Sequence, residues 1–243
     1  MNRVALITGG AKGIGRAVAL DLASQGWPVA ICYRTSAKEA AGVIDQVKQS
    51  GGDGLAAQCD VSNAQAAVNL VRHVHREYGR IDALINGAGP YHRVSLLQET
   101  NEGWHSMFDN NLHPVYYFTQ AVIPLMKQQK WGRIVSFSMA NAEQLIAQPQ
   151  LAAHYIAKVG LLALSRSFAK LIAPDGITMN CVSPGFIDSG SAPKEELDKM
   201  IKFIPAGYVG SVDDAVSAVR FLLSDEARYV NGANIQLSGA WGV

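Results

Sequence analysis

The sequence predicts an α/β protein, a single Rossmann-type doubly wound domain over residues 1–243 with helices on both faces of a seven-stranded parallel sheet. The chain has 243 residues, of which 49% are hydrophobic, so one large core can form. Short apolar runs alternate with longer helical patterns along the whole length. The short runs are apolar throughout, as in parallel strands that are covered on both faces.

Seven apolar runs are short enough to be buried strands. In chain order they are VALIT (4–8), PVAICY (28–33), GLAAQ (54–58), DALIN (82–86), RIVSFS (133–138), ITMNCV (177–182) and ANIQL (233–237). The longer patterns between them predict helices over 14–25, 37–49, 63–78, 102–129, 151–172 and 212–223. Right-handed crossovers would place these helices on both faces. The polar stretch 187–205 has no such pattern, and we expect a mobile segment that covers the substrate.

Charge and cysteine content exclude several classes of function. Twenty-one basic residues balance 20 acidic ones, so no field of one sign is present to attract nucleic acid or an anionic membrane. No apolar run approaches the roughly 18 residues of a membrane span, and the strand that begins at Val4 leaves no room for a signal peptide. The odd set Cys32, Cys59 and Cys181 indicates buried free thiols in a reducing compartment. We expect a cytoplasmic protein without a metal site, since the histidines have no metal-ligand spacing.

A glycine-rich loop follows the first predicted strand and opens the first predicted helix. Residues 8–15 read T-G-G-A-K-G-I-G. Glycines allow a tight turn and let the backbone approach a pyrophosphate, and the helix N-terminus supplies unpaired N–H groups. The loop therefore predicts a dinucleotide cofactor. Its predicted contacts are Thr8, Gly9, Lys12, Gly13, Ile14 and Gly15.

The spacing T-G-x-x-x-G-x-G resembles that of the short-chain dehydrogenase/reductase family, in particular its 3-oxoacyl-carrier-protein reductases. Further motifs carry the resemblance over almost the whole chain: C-D-V at 59–61, N-G-A-G at 86–89 where the family has N-N-A-G, and S-P-G-F-I at 183–187. By resemblance these motifs, together with Ser189 and Lys158, imply more cofactor contacts, around the adenine and the nicotinamide. They are Asp60, Val61, Asn86, Ala88, Lys158, Pro184, Gly185, Ile187 and Ser189.

The end of the second predicted strand favours NADP(H) over NAD(H). NAD enzymes place an acidic residue there to hold the ribose hydroxyls. In this chain no carboxylate occurs before Glu39, and Arg34 stands at the strand end. A guanidinium can pair with a 2′-phosphate in fork geometry, and Lys12 can assist as a point charge.

By resemblance, the chemistry needs a tyrosine, a lysine, a serine and an asparagine. Lys158 matches the lysine, and Asn111 matches the asparagine that positions a water beside it. The family tyrosine stands four residues before the lysine, but here that position holds His154, and Tyr155 follows it. One residue along a helix is 100° of rotation, so Tyr155 would aim about 100° away from the family direction.

Three interpretations of this offset stay open. A bulge or a tightened turn re-aims Tyr155, or His154 is the acid, or neither works and the site is impaired. Of the two side chains, the phenol of Tyr155 has the better reach and acidity range once Lys158 lowers its pKa. Misplacement by even about 1 Å can cost on the order of a hundredfold in rate, so the impaired site is a real alternative.

The serine is displaced as well. The family serine stands seven residues after a glycine that here is Gly132, and this position holds Met139. Ser138 lies one residue early and is the candidate replacement. Pro114 cannot donate to the carbonyl of Asn110, so the helix predicted over 102–129 should be distorted near Asn111.

The resemblance implies an oxidoreductase that transfers a hydride between NADP(H) and a carbonyl or alcohol substrate, such as an acyl thioester. The alternative is a cofactor-binding protein with an impaired site and a structural or regulatory role. We expect no nucleic-acid or membrane partner, and a homo-oligomer, either tetramer or dimer. The family usually pairs the helices predicted at 102–129 and 151–172, and apolar residues crowd them here: Tyr116, Tyr117, Phe118, Leu161, Leu162, Leu164 and Phe168. The apolar end A-W-G-V (240–243) is a further candidate contact with a neighbouring subunit.

Overall fold

A computed structural model of the protein describes residues 3–190 and 193–242. It confirms the predicted α/β class and the seven-stranded parallel sheet. The strands in the described residues are β1 Ala5–Thr8, β2 Val29–Tyr33, β3 Gly54–Gln58, β4 Ala83–Asn86, β5 Gly132–Phe137, β6 Ile177–Pro184, β7 Ile187–Asp188, β8 Gly210–Ser211 and β9 Asn234–Leu237. The helices are α1 Gly13–Ser24, α2 Ala37–Gln49, α3 Ala64–Tyr78, α4 Asn101–Asn111, α5 His113–Gln129, α6 Ala152–Ile172, α7 Lys194–Met200 and α8 Val212–Leu223.

The main sheet has the strand order β3-β2-β1-β4-β5-β6-β9, with every neighbouring pair parallel. The order reverses between β1 and β4, because the chain first builds outward through β2 and β3 and then returns. Ligands of open α/β sheets bind at such a switch point, beyond the carboxyl ends of the strands. The glycine-rich loop after β1 and the N-G-A-G run after β4 both lie there.

Alternate residues of the strands enter two separate cores. Leu6, Leu84 and Ile134 pack on the face that includes α3, α5 and α6. Their neighbours Ile7 and Ile85 pack on the face that includes α1, α2 and α8. Both faces are therefore covered, which explains why the strands are apolar at every position.

The single helix predicted over 102–129 is two helices, α4 and α5, separated at Leu112. Pro114 lies in the first turn of α5. Proline has no N–H to donate, so the interruption at this point has the physical cause that the sequence suggested. The break places Asn111 at the last position of α4.

The segment 187–205 contains more secondary structure than the sequence predicted. β7 pairs with β8 in a two-stranded parallel sheet, and α7 follows. Glu195 and Glu196 occupy the first turn of α7, where carboxylates favour a helix start. At seven residues α7 is too short to show a periodic pattern. The mobility of this segment stays a prediction, and residues 191 and 192 lie outside the described ranges.

Three members of the predicted apolar surplus on α5 and α6 are core residues. Phe118, Leu161 and Leu162 are buried. Tyr117, Leu164 and Phe168 are partly buried against the same core, and Tyr116 is exposed. Within the described ranges, no helix combines the length and apolarity required to cross a lipid bilayer.

Candidate active site

The glycine-rich loop has the backbone shape that a closely approaching ligand requires. Gly9 and Gly13 have positive φ values of 69° and 53°, which residues with a Cβ rarely adopt. A Cβ on Gly15 would lie 2.4 Å from the carbonyl oxygen of Gly9, so the start of α1 packs directly on the turn. The three glycines thus leave a cradle that a side chain would fill.

Thr8 fixes this loop to its neighbour. Its buried hydroxyl accepts hydrogen bonds from the backbone N–H groups of Gly87 (3.1 Å) and Ala88 (3.2 Å). Because Thr8 ends β1 and residues 87–88 follow β4, these bonds connect the two loops at the switch point. Asn86 points elsewhere and donates to the Ser136 hydroxyl at 3.0 Å.

The first cavity, which we call the Arg34 cavity, has a volume of about 260 Å³ and lies over β1, β2 and β3. Of the predicted cofactor contacts it includes Gly9, Lys12, Arg34, Val61 and Ala88. The predicted residue Asp60 is not a lining residue in the described structure. Its carboxylate accepts from the backbone and hydroxyl of Ser62, and these two bonds hold the pKa of Asp60 below its ordinary value.

The charges at the rim of the Arg34 cavity are unevenly paired. Lys12 Nζ lies 2.8 Å from a carboxylate oxygen of Glu39 in α2, so these two side chains form an ion pair. Arg34 Nη1 donates to the side-chain oxygen of Asn110 at 3.3 Å. No carboxylate of the described residues lies within ion-pair distance of Arg34, so its guanidinium retains capacity for an anion.

The second cavity, the Lys158 cavity, has a volume of about 370 Å³ and adjoins the first, since Lys12, Gly87 and Gly89 line both. It brings together residues from five separate parts of the chain. The predicted site residues that line it are Lys12, Gly13, Ile14, Gly15, Ser138, His154, Lys158, Pro184 and Ser189. Gly185 and Ile187 lie just outside, where Gly185 donates to the Leu237 carbonyl and Ile187 lines a neighbouring cavity.

Lys158 is buried, and its Nζ donates to the Phe137 carbonyl at 2.7 Å. Burial lowers its pKa from its ordinary value near 10.5 to about 8. Asn111 lies beside it, because a Cβ on Gly89 would be 3.4 Å from Lys158 Nζ and 2.4 Å from Asn111 Oδ1. The amide of Asn111 donates to the carbonyls of Met107 (3.0 Å) and Pro90 (3.2 Å).

His154 occupies the position that the family tyrosine would hold, four residues before Lys158 on α6, and it lines the Lys158 cavity. Its side chain is buried, and Nδ1 has no hydrogen-bond partner among the described residues. Burial, and then the nearby charge of Lys158, lower the pKa of His154 to about 4. The ring packs edge-on against Tyr91, with 5.3 Å between centroids. At pH 7 this imidazole is neutral.

The hydroxyl of Tyr155 faces loop 140–150 and not the Lys158 cavity. It donates to the Asn141 carbonyl at 2.9 Å and accepts from the backbone N–H of Ile146 at 3.1 Å. The start of α6 contains no bulge that would re-aim this side chain, since α6 is regular from Ala152 onward. The 100° offset expected for adjacent helical residues is therefore realised.

Ser138 lines the Lys158 cavity, but its hydroxyl donates to the backbone carbonyl of Lys158 at 2.9 Å. Met139, at the family serine position, packs against the hydrophobic core. In the described residues the strand end therefore offers the substrate no hydroxyl in the family position.

Several contributors were missed from the sequence. The backbone carbonyl of Phe137 accepts the hydrogen bond from Lys158, and no side-chain motif encodes such a contact. The side chain of Asn110 accepts a hydrogen bond from Arg34. Tyr91 and the His92–Glu99 pair, 3.0 Å apart, follow the N-G-A-G run beside His154. In the sequence, only their position directly after the N-G-A-G run could have indicated that they lie near the site. No group of three or more metal-ligating side chains occurs within residues 3–190 and 193–242.

Comparisons with known proteins agree with this geometry. A family model described as enoyl-(acyl carrier protein) reductase matches residues 9–240. A 3-oxoacyl-(acyl-carrier-protein) reductase of Staphylococcus aureus is 34% identical over 242 residues, covering 98% of each chain. The reductase of the same name from Synechocystis is 34% identical over 238 residues, covering 98% of this chain and 96% of its own.

Solved structures agree as well. A provisionally named short-chain alcohol dehydrogenase from Sinorhizobium meliloti superposes with a TM-score of 0.92 at 26% identity, covering 99% of this chain and 97% of its own. A provisionally named gluconate dehydrogenase from Agrobacterium tumefaciens gives 0.91 at 26% identity, with 98% and 95% covered. The chain belongs to the short-chain dehydrogenase/reductase family, and it is an oxidoreductase.

Proposed function

We propose that the protein is an NADPH-dependent reductase of carbonyl compounds, and that its substrates are 3-oxoacyl thioesters like those named for its relatives. One observation carries this proposal. The Arg34 cavity and the Lys158 cavity adjoin at the glycine-rich loop, so a ligand that spans both would bring its reactive end to Lys158 and His154.

The residues present fit a dinucleotide phosphate. The cradle of Gly9, Gly13 and Gly15 leaves room for a pyrophosphate at the start of α1. Arg34, which has no carboxylate partner among the described residues, is suited to a 2′-phosphate, and Lys12 becomes available if the anion displaces Glu39. By the family resemblance, Pro184 and Ser189 would border the nicotinamide.

When bound, NADPH supplies a hydride to the substrate carbonyl carbon. Negative charge then develops on the substrate oxygen, and groups that stabilise it lower the barrier. We assign the hydrogen bond to this oxygen to the neutral imidazole of His154, which offers one N–H. Lys158, which is charged below about pH 8, is the nearby cation and the reservoir of the proton that the oxygen finally takes. Tyr155 and Ser138 have their hydroxyls committed to backbone carbonyls.

A single-turnover experiment tests this function. Protein in excess over NADPH is mixed with a panel of 3-oxoacyl thioesters and simple ketones, and the loss of reduced-nicotinamide absorbance is followed. We expect turnover of 3-oxoacyl thioesters, slower than in a relative with the tyrosine in register. If NADPH binds but no member of the panel is reduced, the proposed activity is refuted and a cofactor-binding role with an impaired site replaces it.

We further propose a homo-oligomer, a tetramer or a dimer, in the cytoplasm. Tyr116 on α5 and Ile156 and Leu171 on α6 remain exposed on the helices that the family pairs. The three cysteines are free and buried, as in a reducing compartment. Light scattering at micromolar concentration tests the assembly, and a 26 kDa particle would contradict it.

A further inference from the structure

Segment 238–242 contacts three separate parts of the chain, and one of them, the S-P-G-F-I run, contributes Pro184 to the Lys158 cavity. The ring of Trp241 packs against Phe186 of the S-P-G-F-I run, with 4.7 Å between centroids and a 60° angle between planes. The carbonyl of Gly242 accepts from the side-chain amide of Gln144 in loop 140–150 at 2.6 Å. The carbonyl of Gly239 accepts from the backbone N–H of Ala206 at 3.0 Å, beyond α7. One short segment thus connects parts of the chain that are far apart in sequence.

The fit of this segment leaves little freedom. A Cβ on Gly242 would overlap the side chain of Asn141, and Gly242 has a φ of +73°. Ala240, although not a glycine, has a φ of +67°. A residue other than glycine in this region is uncommon, and such conformations persist only where surrounding contacts hold them. The segment therefore has a fixed shape that its contacts define.

Tyr155 holds the same loop from the opposite side. Its hydroxyl bonds the Asn141 carbonyl and the Ile146 N–H, while the Asn141 side chain abuts Gly242. Tyr155 lies on α6, directly after His154 and three residues before Lys158. The contacts thus run without a gap from α6 through loop 140–150 and segment 238–242 to Phe186.

We propose that segment 238–242 is a positioning element that fixes the S-P-G-F-I run relative to α6, with Trp241 as its main contact. The inference rests on the proposed function, since Pro184 of this run and Ser189 just beyond it line the Lys158 cavity, where the nicotinamide half of the cofactor would lie. Strands β6 and β7 hold the two ends of the run, so without the Trp241 ring it is the Phe186 side chain between them that loses its partner and would have to be ordered when the cofactor binds. That ordering cost falls on the nicotinamide half and not on the adenosine half.

The test compares the whole cofactor with a fragment that lacks the nicotinamide. Dissociation constants for NADPH and for 2′,5′-ADP are measured by calorimetry for wild type, Trp241→Ala, Trp241→Phe and Gln144→Ala. Tyr229→Ala, which removes a fully exposed aromatic ring, is the matched control. We expect Trp241→Ala to weaken NADPH about tenfold and to leave 2′,5′-ADP within about twofold. Trp241→Phe should restore most of the affinity, and Gln144→Ala should weaken NADPH by roughly threefold.

If Trp241→Ala weakens the binding of NADPH and of 2′,5′-ADP equally, the proposal is overturned, because equal weakening indicates general destabilisation of the protein. Unchanged NADPH binding in both Trp241→Ala and Gln144→Ala would overturn it too. If Trp241→Ala does not fold, the dissociation constants of Gln144→Ala for NADPH and 2′,5′-ADP decide the question alone. Gln144 is exposed, so its substitution should leave the fold intact. A wild type that binds neither ligand refutes the proposed function itself, which is a different result from either of these.

Discussion

The Arg34 cavity and the Lys158 cavity meet at one glycine-rich loop, yet they keep the family pattern to different degrees. At the Arg34 cavity, Gly9 and Lys12 of the glycine-rich loop stand in the family spacing, and Thr8 fixes this loop to the N-G-A-G run. In the Lys158 cavity the tyrosine position holds His154 and the serine position holds Met139. The Arg34 cavity thus keeps the family pattern more closely than the Lys158 cavity does.

The difference follows from whether backbone atoms or side-chain atoms give each cavity its shape. The first cavity borders the glycine-rich loop through Gly9, and there its shape depends on backbone N–H groups and φ angles, which the sheet register and a few glycines determine. The second depends on the aim of individual side chains on a helix, where one residue changes the direction by 100°. A backbone site therefore tolerates divergence that a side-chain site does not. The same comparison predicts which substitutions should abolish binding and which should abolish only turnover.

The largest effect should come from Lys158→Met, which keeps the apolar stem and removes the charge. We expect kcat/KM to fall by about 10³-fold, since both proton supply and charge stabilisation depend on this group. In the wild type, kcat/KM should also decline above about pH 8, where Lys158 loses its proton. Lys170→Ala, at an exposed position of the same helix, is the control. A Lys158→Met protein with wild-type turnover would remove the lysine from the mechanism.

The next effect distinguishes the two adjacent side chains of α6. We expect His154→Phe to lower kcat/KM about 10²-fold, because it removes the imidazole that lines the Lys158 cavity. Tyr155→Phe should lower it only several-fold, through loosening of loop 140–150, and should cost about 1–3 kcal/mol of unfolding free energy, because the Ile146 N–H loses its partner. Turnover is measured with cofactor affinity determined separately. The reverse ranking would show that Tyr155 reaches the substrate after all.

A smaller effect concerns the Arg34 cavity alone. Arg34→Ala should raise the dissociation constant of NADPH by about thirtyfold and leave that of NADH nearly unchanged, because a charge-assisted contact is lost only with the 2′-phosphate. Glu39→Gln should tighten NADPH by a few fold, since it frees Lys12 from its ion pair. Calorimetric titrations of the wild type and both variants with NADPH and NADH measure these dissociation constants. Equal wild-type affinities for NADPH and NADH would contradict the assignment of the phosphate site.

The contrast between the cavities also separates what the sequence could predict from what it could not. The strands and the glycine-rich loop were predictable because apolar runs and glycine spacing record burial and backbone shape directly. The 100° offset of Tyr155 was predictable from helix geometry, but its hydrogen-bond partners were not, because they lie in loop 140–150, where Asn141 and Leu145 adopt positive φ values of 70° and 53°. Asparagine tolerates this region better than most residues but leucine does not, so the sequence gives no signal for the turn at Leu145. The partner of Lys158 is a backbone carbonyl, which has no sequence signature either.

The smallest expected effect is a pH dependence of stability that comes from His154. Burial and Lys158 lower its folded-state pKa to about 4, below the ordinary value of 6.5. Between these values the unfolded chain binds more protons than the folded one, so the free energy of unfolding falls as the pH falls from 6.5 towards 4. Since the ring is not fully shielded, we expect a loss of about 1–2 kcal/mol from this group.

Urea unfolding at pH 4.5 and pH 7.5, for wild type and His154→Gln, isolates the contribution as the difference between the two proteins. His105→Gln, at an exposed position, should behave as the wild type. If His154→Gln loses as much stability on acidification as the wild type does, His154 is not a buried neutral imidazole, and the hydrogen bond assigned to it at the substrate oxygen has to be given to another group.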